Sequence, residues 1–411
     1  MYPDLSYFFH DLLGTDVDNF TSIFKTFGVM LVLALMACGV FLKYELKRLE
    51  AAGKIHPIKV FKNTSERISA LDIAVNSAIM FFLGAKIPII FSNFKAFQAD
   101  PASVIFSKIG NWGIGILVGA LSAAYFIYKN SKTPDTSNVK EEYLQYPSEK
   151  TNNIIMIAGF AGVLGSKLFS ITENLSGFFK NPLGSLFSGS GLNIYGGLIL
   201  AFIAVYWYIK KLGIKPLYMM DIAGMGILLG YAIGRIGCQL SGDGDWGIEA
   251  SAMPSWWFLP DWMWSFNYPH NVNNDGSVMS NVNQELFNTA IAQRASIEEA
   301  CQTASGMRYC HEITPRVYPT PLYETIFGFI SFGILFLFRN TFKITGTIFF
   351  IYMILNGIER FFIEFIRVND RYDYFGVHWS QAQYISILFI IIGIVGLIWL
   401  YRKGNNQPSK A

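Results

Sequence analysis

Charge is what this chain has least of: Asp, Glu, Lys and Arg together make up 15% of its 411 residues, against about 25% in an ordinary soluble domain. Histidine occurs five times and cysteine four. The shortage excludes a protein whose whole surface is solvated by ionised side chains. A formal net charge of only +3 also excludes the strongly basic field with which proteins collect nucleic acid, and no such partner is expected. The opening stretch "MYPDLSYFFHDLLGTDVDNF" lacks the basic start, apolar core and small-residue cleavage site of a secretory leader. The first apolar run is therefore expected to stay in the protein. Metal-binding patterns are missing as well. "NVNNDGS" begins like a calcium loop, but Val282 stands where a bidentate Glu is needed, so the stretch reads as a polar turn. No metal and no cofactor are expected.

What the chain has instead is apolar length, with 52% hydrophobic and 16% aromatic residues. Runs of about 17 to 25 apolar residues are long enough to cross a bilayer as helices. Nine are counted, near residues 24–43, 70–92, 111–129, 153–173, 193–209, 218–240, 320–338, 343–366 and 383–401. The expected fold is an all-α polytopic membrane protein of about nine transmembrane helices. Basic clusters follow every odd run: "KYELKRLEAAGKIHPIKVFK", "KNSK", "KKLGIK", "FRNTFK" and "YRK". Positive charge favours the cytoplasmic side, which places residues 1–23 and the long insertion 241–317 on the far, periplasmic side, the insertion as a head. Helices one to six then occupy 24–240, helices seven to nine 318–402, and a cytoplasmic tail 403–411. Cys301 and Cys310, both in the insertion, can form a disulfide in an oxidising compartment or remain free thiols.

An internal repeat occurs at an offset of 81 residues: Leu83, Gly84 and Lys86 recur as Leu164, Gly165 and Lys167. Pro101 recurs as Pro182, Phe106 as Phe187, Gly110 as Gly191, Gly115 as Gly196, Tyr125 as Tyr206 and Lys129 as Lys210. The hairpin over 70–129 reads as a duplicate of that over 153–209.

Ionisable side chains inside a membrane are costly unless paired or hydrated, and so mark candidate sites. Arg235 lies in "GRIGCQLSGDGDWG", Tyr323 and Glu324 in "YPTPLYE", and Arg360, Glu364 and Arg367 in "ERFFIEFIRVND". The last three are spaced to share one helical face as cation, anion and cation. Arg235 and Arg360, both at outer ends of apolar runs, suit a shared anion, and a guanidinium matches phosphate through two hydrogen bonds. Arg367 reads either as part of that set or as an interfacial salt bridge whose long side chain reaches the headgroups. "GMGILLG", from Gly224 to Gly230, lies within a span and reads as a helix-packing face.

Taken in order, "YGGLI", "GRIGCQLSGDGDWG", "YPTPLYE", "RFFIEFIRVND" and "SQAQYIS" resemble the prolipoprotein diacylglyceryl transferase family. The resemblance implies a bacterial inner-membrane enzyme with its site facing the periplasm. Such an enzyme moves the diacylglyceryl group of phosphatidylglycerol onto the lipobox cysteine thiol of a prolipoprotein signal peptide. It implies catalytic roles for Arg235, Arg360, Glu364 and the residue at Tyr195. It implies substrate contacts from Arg235, Gly196, Gly197, Cys238, Asp243, Gly247, Tyr323, Glu324 and Phe27. Several positions depart from the family pattern. Tyr195 replaces the histidine of "HGGL", Cys238 the asparagine after Gly237, Thr26-Phe27-Gly28 the "WYG" of the first span, and Tyr318 and Pro321 the His and Gln of "HPxQLYE". One extra residue also lies between Gly242 and Trp246. Tyr195 can orient the thiol or phosphate, or serve only as an interfacial aromatic; Cys238 can be packing, a redox-sensitive thiol or a hydrogen-bonding stand-in for Asn. The alternative reading is a non-catalytic phospholipid- or lipoprotein-binding paralogue, and a solute transporter is the third.

Overall fold

The computed structural model describes residues 1–63, 68–99, 104–105, 107–133, 140–173, 175–180, 182, 194–369, 371–374 and 376–405. Pro101, Phe106, Phe187 and Gly191 of the repeat lie outside the described residues. The principal helices, in chain order, are α1 (Leu5–Leu13), α2 (Thr26–Ala51), α3 (Ala70–Ser92), α4 (Trp112–Lys132), α5 (Thr151–Glu173), α6 (Ile194–Lys211), α7 (Pro216–Ser241), α8 (Gln284–Ala292), α9 (Ile297–Ser305), α10 (Thr320–Phe338), α11 (Thr347–Ile363) and α12 (Gln381–Asn405).

Each of the nine apolar runs contains a helix. Among the described residues, seven helices are both long and apolar enough to cross a membrane: Thr26–Ala51, Ala70–Ser92, Trp112–Lys132, Pro147–Thr172, Pro216–Ser241, Thr320–Phe338 and Gln381–Lys403. Of the other two, α11 has 17 residues, and α6 is described from Ile194 to Lys211. The protein is an all-α polytopic membrane protein. Its helices bear this out on their outer faces: on α12, Leu388, Ile391, Val395 and Ile398 are all exposed, which suits lipid rather than water.

The chain divides into two compact units, Met1–Lys47 with Lys215–Ala411, and Arg48–Ile214. In the first, α7 packs against α10 and α11, and α11 against α12. Their shared interior holds Met225, Leu228, Ala232 and Leu335. The "GMGILLG" face of α7 is indeed a packing face: Gly224 abuts Tyr352 of α11 and Gly230 abuts Cys38 of α2. The ends of α7 follow from its sequence. Pro216 sits at its first turn, where a missing N–H costs nothing, and Gly242 ends it in the left-handed region at φ +63°, which lets the chain turn sharply into the insertion.

The insertion is a small folded layer. Helix α8 is capped by Asn283 and α9 by a Ser296–Glu299 capping box. Strands β3 (Ser277–Val278) and β4 (His311–Glu312) pair antiparallel. Cys301 and Cys310 are joined by a disulfide within a core of Val282, Phe287, Ala290 and Ala300. The "NVNNDGS" stretch is a structural turn. Asn271 is fully buried; its amide donates to the carbonyl of Asp275 at 3.0 Å and its side-chain oxygen accepts the Asp275 N–H at 2.8 Å.

The second unit contains two helical hairpins, α3 with α4 and α5 with α6, and an antiparallel ladder of β1 (Ile58–Asn63) and β2 (Lys140–Gln145). Both hairpins use close-approach glycines at the 81-residue offset. A Cβ on Gly115 would stand 2.8 Å from the Phe81 carbonyl, and one on Gly196 would stand 2.5 Å from the Gly165 carbonyl. The matched lysines Lys86 and Lys167 are both buried, and the Lys86 ammonium donates to the carbonyl of Ile109 at 2.8 Å.

Candidate functional site

Glu324 lies in the second turn of α10 with no solvent exposure, and three arginines from three segments converge on it. Arg235 of α7 pairs with its Oε2. Arg360, in the last turn of α11, reaches its Oε1 at 3.2 Å, and Arg367, just beyond α11, reaches the same oxygen at 3.1 Å. A fully buried carboxylate is tolerable only when its charge is compensated in this way. In return it gathers three guanidiniums that would otherwise repel one another.

A second carboxylate closes the cluster from the loop after α7. Asp245 pairs with Arg235 and, through Oδ1, with Arg367 at 2.6 Å. The loop is fastened where α10 begins, because the Thr320 hydroxyl donates to the Asp245 carbonyl at 2.6 Å. Burial pushes the Asp245 carboxyl up, but Arg235 and Arg367 outweigh it and hold the group below the usual range for Asp. At Asp243 burial wins instead: it lifts the carboxyl above the usual range, only partly offset by the contact with Cys238 and by the charge of Arg235. The spacing of Arg360 and Glu364 on one face is realised as an ion pair of 3.1 Å, with the Asn369 amide donating to Glu364 from the other side. Two guanidinium donors of the cluster lack an acceptor among the described residues. Among the described residues, the Nε–H groups of Arg235 and Arg367 are buried and donate to no partner, the kind of orphan that a bound anion would satisfy.

Of the positions singled out by sequence, Arg235, Glu324, Arg360 and Glu364 are brought together. Cys238 lies beside Arg235, whose Nη1 approaches its sulfur at 3.4 Å. Gly247 stands at the rim, where its N–H donates to the Tyr318 carbonyl at 2.8 Å; a Cβ there would come within 2.5 Å of the Ile366 carbonyl. Phe27 packs beside Gly237 on the α2–α7 contact and is partly exposed. The Tyr323 hydroxyl is not aimed at the arginines; it donates to the carbonyl of Met263 at 2.8 Å. Tyr195, Gly196 and Gly197 belong to α6 of the other unit. Both glycines are buried, and the Tyr195 side chain lies outside the described residues.

Sequence reasoning passed over Asp245 and left Arg367 open. Two aspartates stand between Gly242 and Trp246, where the signature carries one extra residue, and it is Asp245 rather than the singled-out Asp243 that pairs with the arginines. Glu359 was also missed. It is buried, with Tyr231 donating to it at 3.4 Å.

Known proteins give this geometry a context. Residues 101–399 match the family described as prolipoprotein diacylglyceryl transferase. The phosphatidylglycerol–prolipoprotein diacylglyceryl transferase of Dehalococcoides mccartyi strain 195 is 27% identical over 310 residues, which cover 74% of this chain and 95% of that protein. The protein of the same name from Clostridium tetani is 27% identical over 288 residues, covering 70% of this chain and 91% of the relative. That from Clostridioides difficile is 28% identical over 260 residues, 63% and 81% of the two chains. With five motifs in family order and a family match across most of its length, this chain belongs to the prolipoprotein diacylglyceryl transferase family.

Proposed function

We propose that the protein is a transferase that moves the diacylglyceryl group of phosphatidylglycerol onto the lipobox cysteine thiol of prolipoproteins, at the periplasmic side of a bacterial inner membrane. The observation that carries this reading is the arginine cluster, with two buried guanidinium N–H groups that have no partner among the described residues. A phosphate diester entering beside Arg360, the most exposed of the three arginines, supplies their acceptors. In the reaction the thiol loses its proton, a sulfur–carbon bond forms at the glyceryl carbon, and the carbon–oxygen bond to phosphate breaks. Glycerol phosphate leaves with the bonding electron pair and the released proton passes to it or to water. Negative charge grows on the departing phosphate, and cations already fixed there lower the barrier without having to reorganise.

Arg235, Arg360 and Arg367 take the phosphate in this reading, and Glu324, Asp245 and Glu364 hold them in position. Tyr195 stands where the family pattern has its histidine. A hydroxyl of pKa near 10 is a poor base at neutral pH, whereas a thiol near 8.5 ionises readily beside cations, so the missing histidine is compatible with turnover. The periplasmic placement is supported by the basic clusters after every odd span and by the Cys301–Cys310 disulfide, which suits an oxidising compartment.

The test is incubation of the purified protein in phosphatidylglycerol nanodiscs with a lipobox peptide, read by mass spectrometry. A diacylglyceryl mass increment on the Cys peptide, lost in Arg235→Ala and absent from a Ser peptide, is the expected result. Peptide binding without that increment, while a known family member is active in parallel, overturns the reading in favour of a non-catalytic paralogue.

A further inference from the structure

The insertion contains a stretch that the transfer reaction does not use. Residues 251–264, "SAMPSWWFLPDWMW", hold four of the chain's nine tryptophans and a single charge, Asp261. A loop between membrane helices is ordinarily polar, yet Trp256 is 69% exposed and Phe258 88%, with Met253, Leu259 and Trp262 exposed beside them. A contiguous apolar surface of this kind marks a place where something other than water is met.

Where the loop is fastened decides what that is. At its far end, the Tyr323 hydroxyl donates to the carbonyls of Met263 at 2.8 Å and Trp264 at 3.3 Å. Tyr323 is in the first turn of the membrane helix α10, so these carbonyls are tied to the end of that helix by one side chain. At its near end, the Ile248 N–H donates to the Ile366 carbonyl at 2.8 Å and the Ala250 N–H to the Arg316 carbonyl at 2.9 Å. Those carbonyls flank the matching ends of α11 and α10. Between the two stems the rings hold one another: Trp264 lies edge-to-face with Tyr318 at 5.6 Å and with Trp257 at 5.1 Å, and its Nε1 donates to the Ser251 carbonyl at 2.9 Å. Both stems therefore sit at the depth at which apolar helices emerge from the bilayer, and the exposed rings cannot travel far from it.

Tryptophan and phenylalanine at that depth suit the membrane–water boundary, where a ring is buried among acyl carbonyls and a polar edge stays hydrated. The stretch has no Lys or Arg, so attraction to anionic headgroups has no part in it.

We propose that residues 252–263 form an aromatic anchor lying in the headgroup–acyl boundary of the bilayer that α10 and α11 cross, at the end where the charge cluster lies, with lipid as its occupant. The anchor shares its root with Asp245 and Gly247, and so steadies the loop that brings Asp245 to the arginines. The inference does not depend on the transfer reaction.

Trp256→Phe and Trp262→Phe each remove one emitter while keeping an aromatic ring at an exposed position. In nanodiscs, the emission lost in each variant reports the environment of that tryptophan. That difference emission is expected to be quenched at least twofold by lipids brominated near the acyl carbonyl, and left unchanged by aqueous iodide. Quenching by iodide but not by brominated lipid, for both tryptophans, overturns the proposal. So does iodide quenching that is relieved only when an apolar signal-type peptide is added, an outcome that would assign the surface to peptide. Circular dichroism and elution volume matching the parent protein establish that both variants are folded.

Discussion

Arg235 and Arg367 share both of their carboxylate partners, Asp245 and Glu324. The four side chains close a ring that joins α7, the loop after it, α10 and the end of α11, segments far apart in the sequence. Either arginine alone could be held by one acid. Sharing two fixes the distance between the guanidiniums, as a seat for one phosphate requires.

Glu324→Gln keeps the shape of the hub and removes its charge. With three guanidiniums left around a neutral amide, the substitution is expected to cost about 3–5 kcal/mol, the usual penalty for breaking a buried ion pair from one side. Transfer activity should fall at least about tenfold. Thermal unfolding in detergent and the peptide assay check this, and a variant with parental melting and turnover would show that the arginines do not rely on Glu324.

Arg367→Lys separates the two roles left open for this residue. A lysine keeps the charge and can still reach a headgroup, so an interfacial role predicts little change. Arg367 instead bridges Asp245 and Glu324 through two nitrogens, which one ammonium cannot reproduce. A loss of about 10- to 100-fold in kcat/KM, on the order of 1.4–2.8 kcal/mol, is expected in steady-state assays.

The two aspartates of "GDGDWG" should respond oppositely to neutralisation and to pH. The folded-state pKa of Asp245 is depressed, so its contribution to stability is present above the unfolded value near 3.9 and is lost as pH falls through the lower folded value. Asp243 is raised by burial; its ionised form opposes folding once the pH exceeds the unfolded value. At pH 7, Asp245→Asn should lower the melting temperature and Asp243→Asn raise it, each by a few degrees on the order of 2–4 °C per kcal/mol. Equal shifts of the same sign would contradict the assignment.

Removing the disulfide as Cys301→Ala with Cys310→Ala should loosen the insertion and leave the helices in place. A short closed loop of this size contributes about 2–3 kcal/mol, and both residues are fully buried in the core around Phe287. Limited proteolysis should cut between α8 and β4 much faster in the double variant and in reduced parental protein. Unchanged cleavage would mean that packing alone holds this layer.

Much of the architecture is legible because a bilayer imposes length and apolarity on each span: each of the nine runs contains a helix, and seven helices among the described residues are long and apolar enough to cross. The run at 343–366 is realised as the shorter helix α11, Thr347–Ile363, with Arg360 in its last turn. The i, i+4 pairing of Arg360 with Glu364 was readable because both lie on one helix. The hub at Glu324 was not, since its three partners come from separate segments and sequence spacing says nothing about their convergence. Asp245 was hidden by a one-residue insertion, and its ion pairs with Arg235 and Arg367, which sequence spacing does not show, are what set it apart from Asp243.

Counted together, Arg235, Arg360 and Arg367 carry as many positive charges as Asp245, Glu324 and Glu364 carry negative ones. Seen from a Debye length away, about 10 Å at 0.1 M salt, this sextet has almost no monopole with which to pull an anion in. On the proposed function, a lipid phosphate would reach it by lateral diffusion in the leaflet, and the cluster would discriminate only at contact, through the direction of its N–H groups. Turnover on phosphatidylglycerol should accordingly depend little on ionic strength.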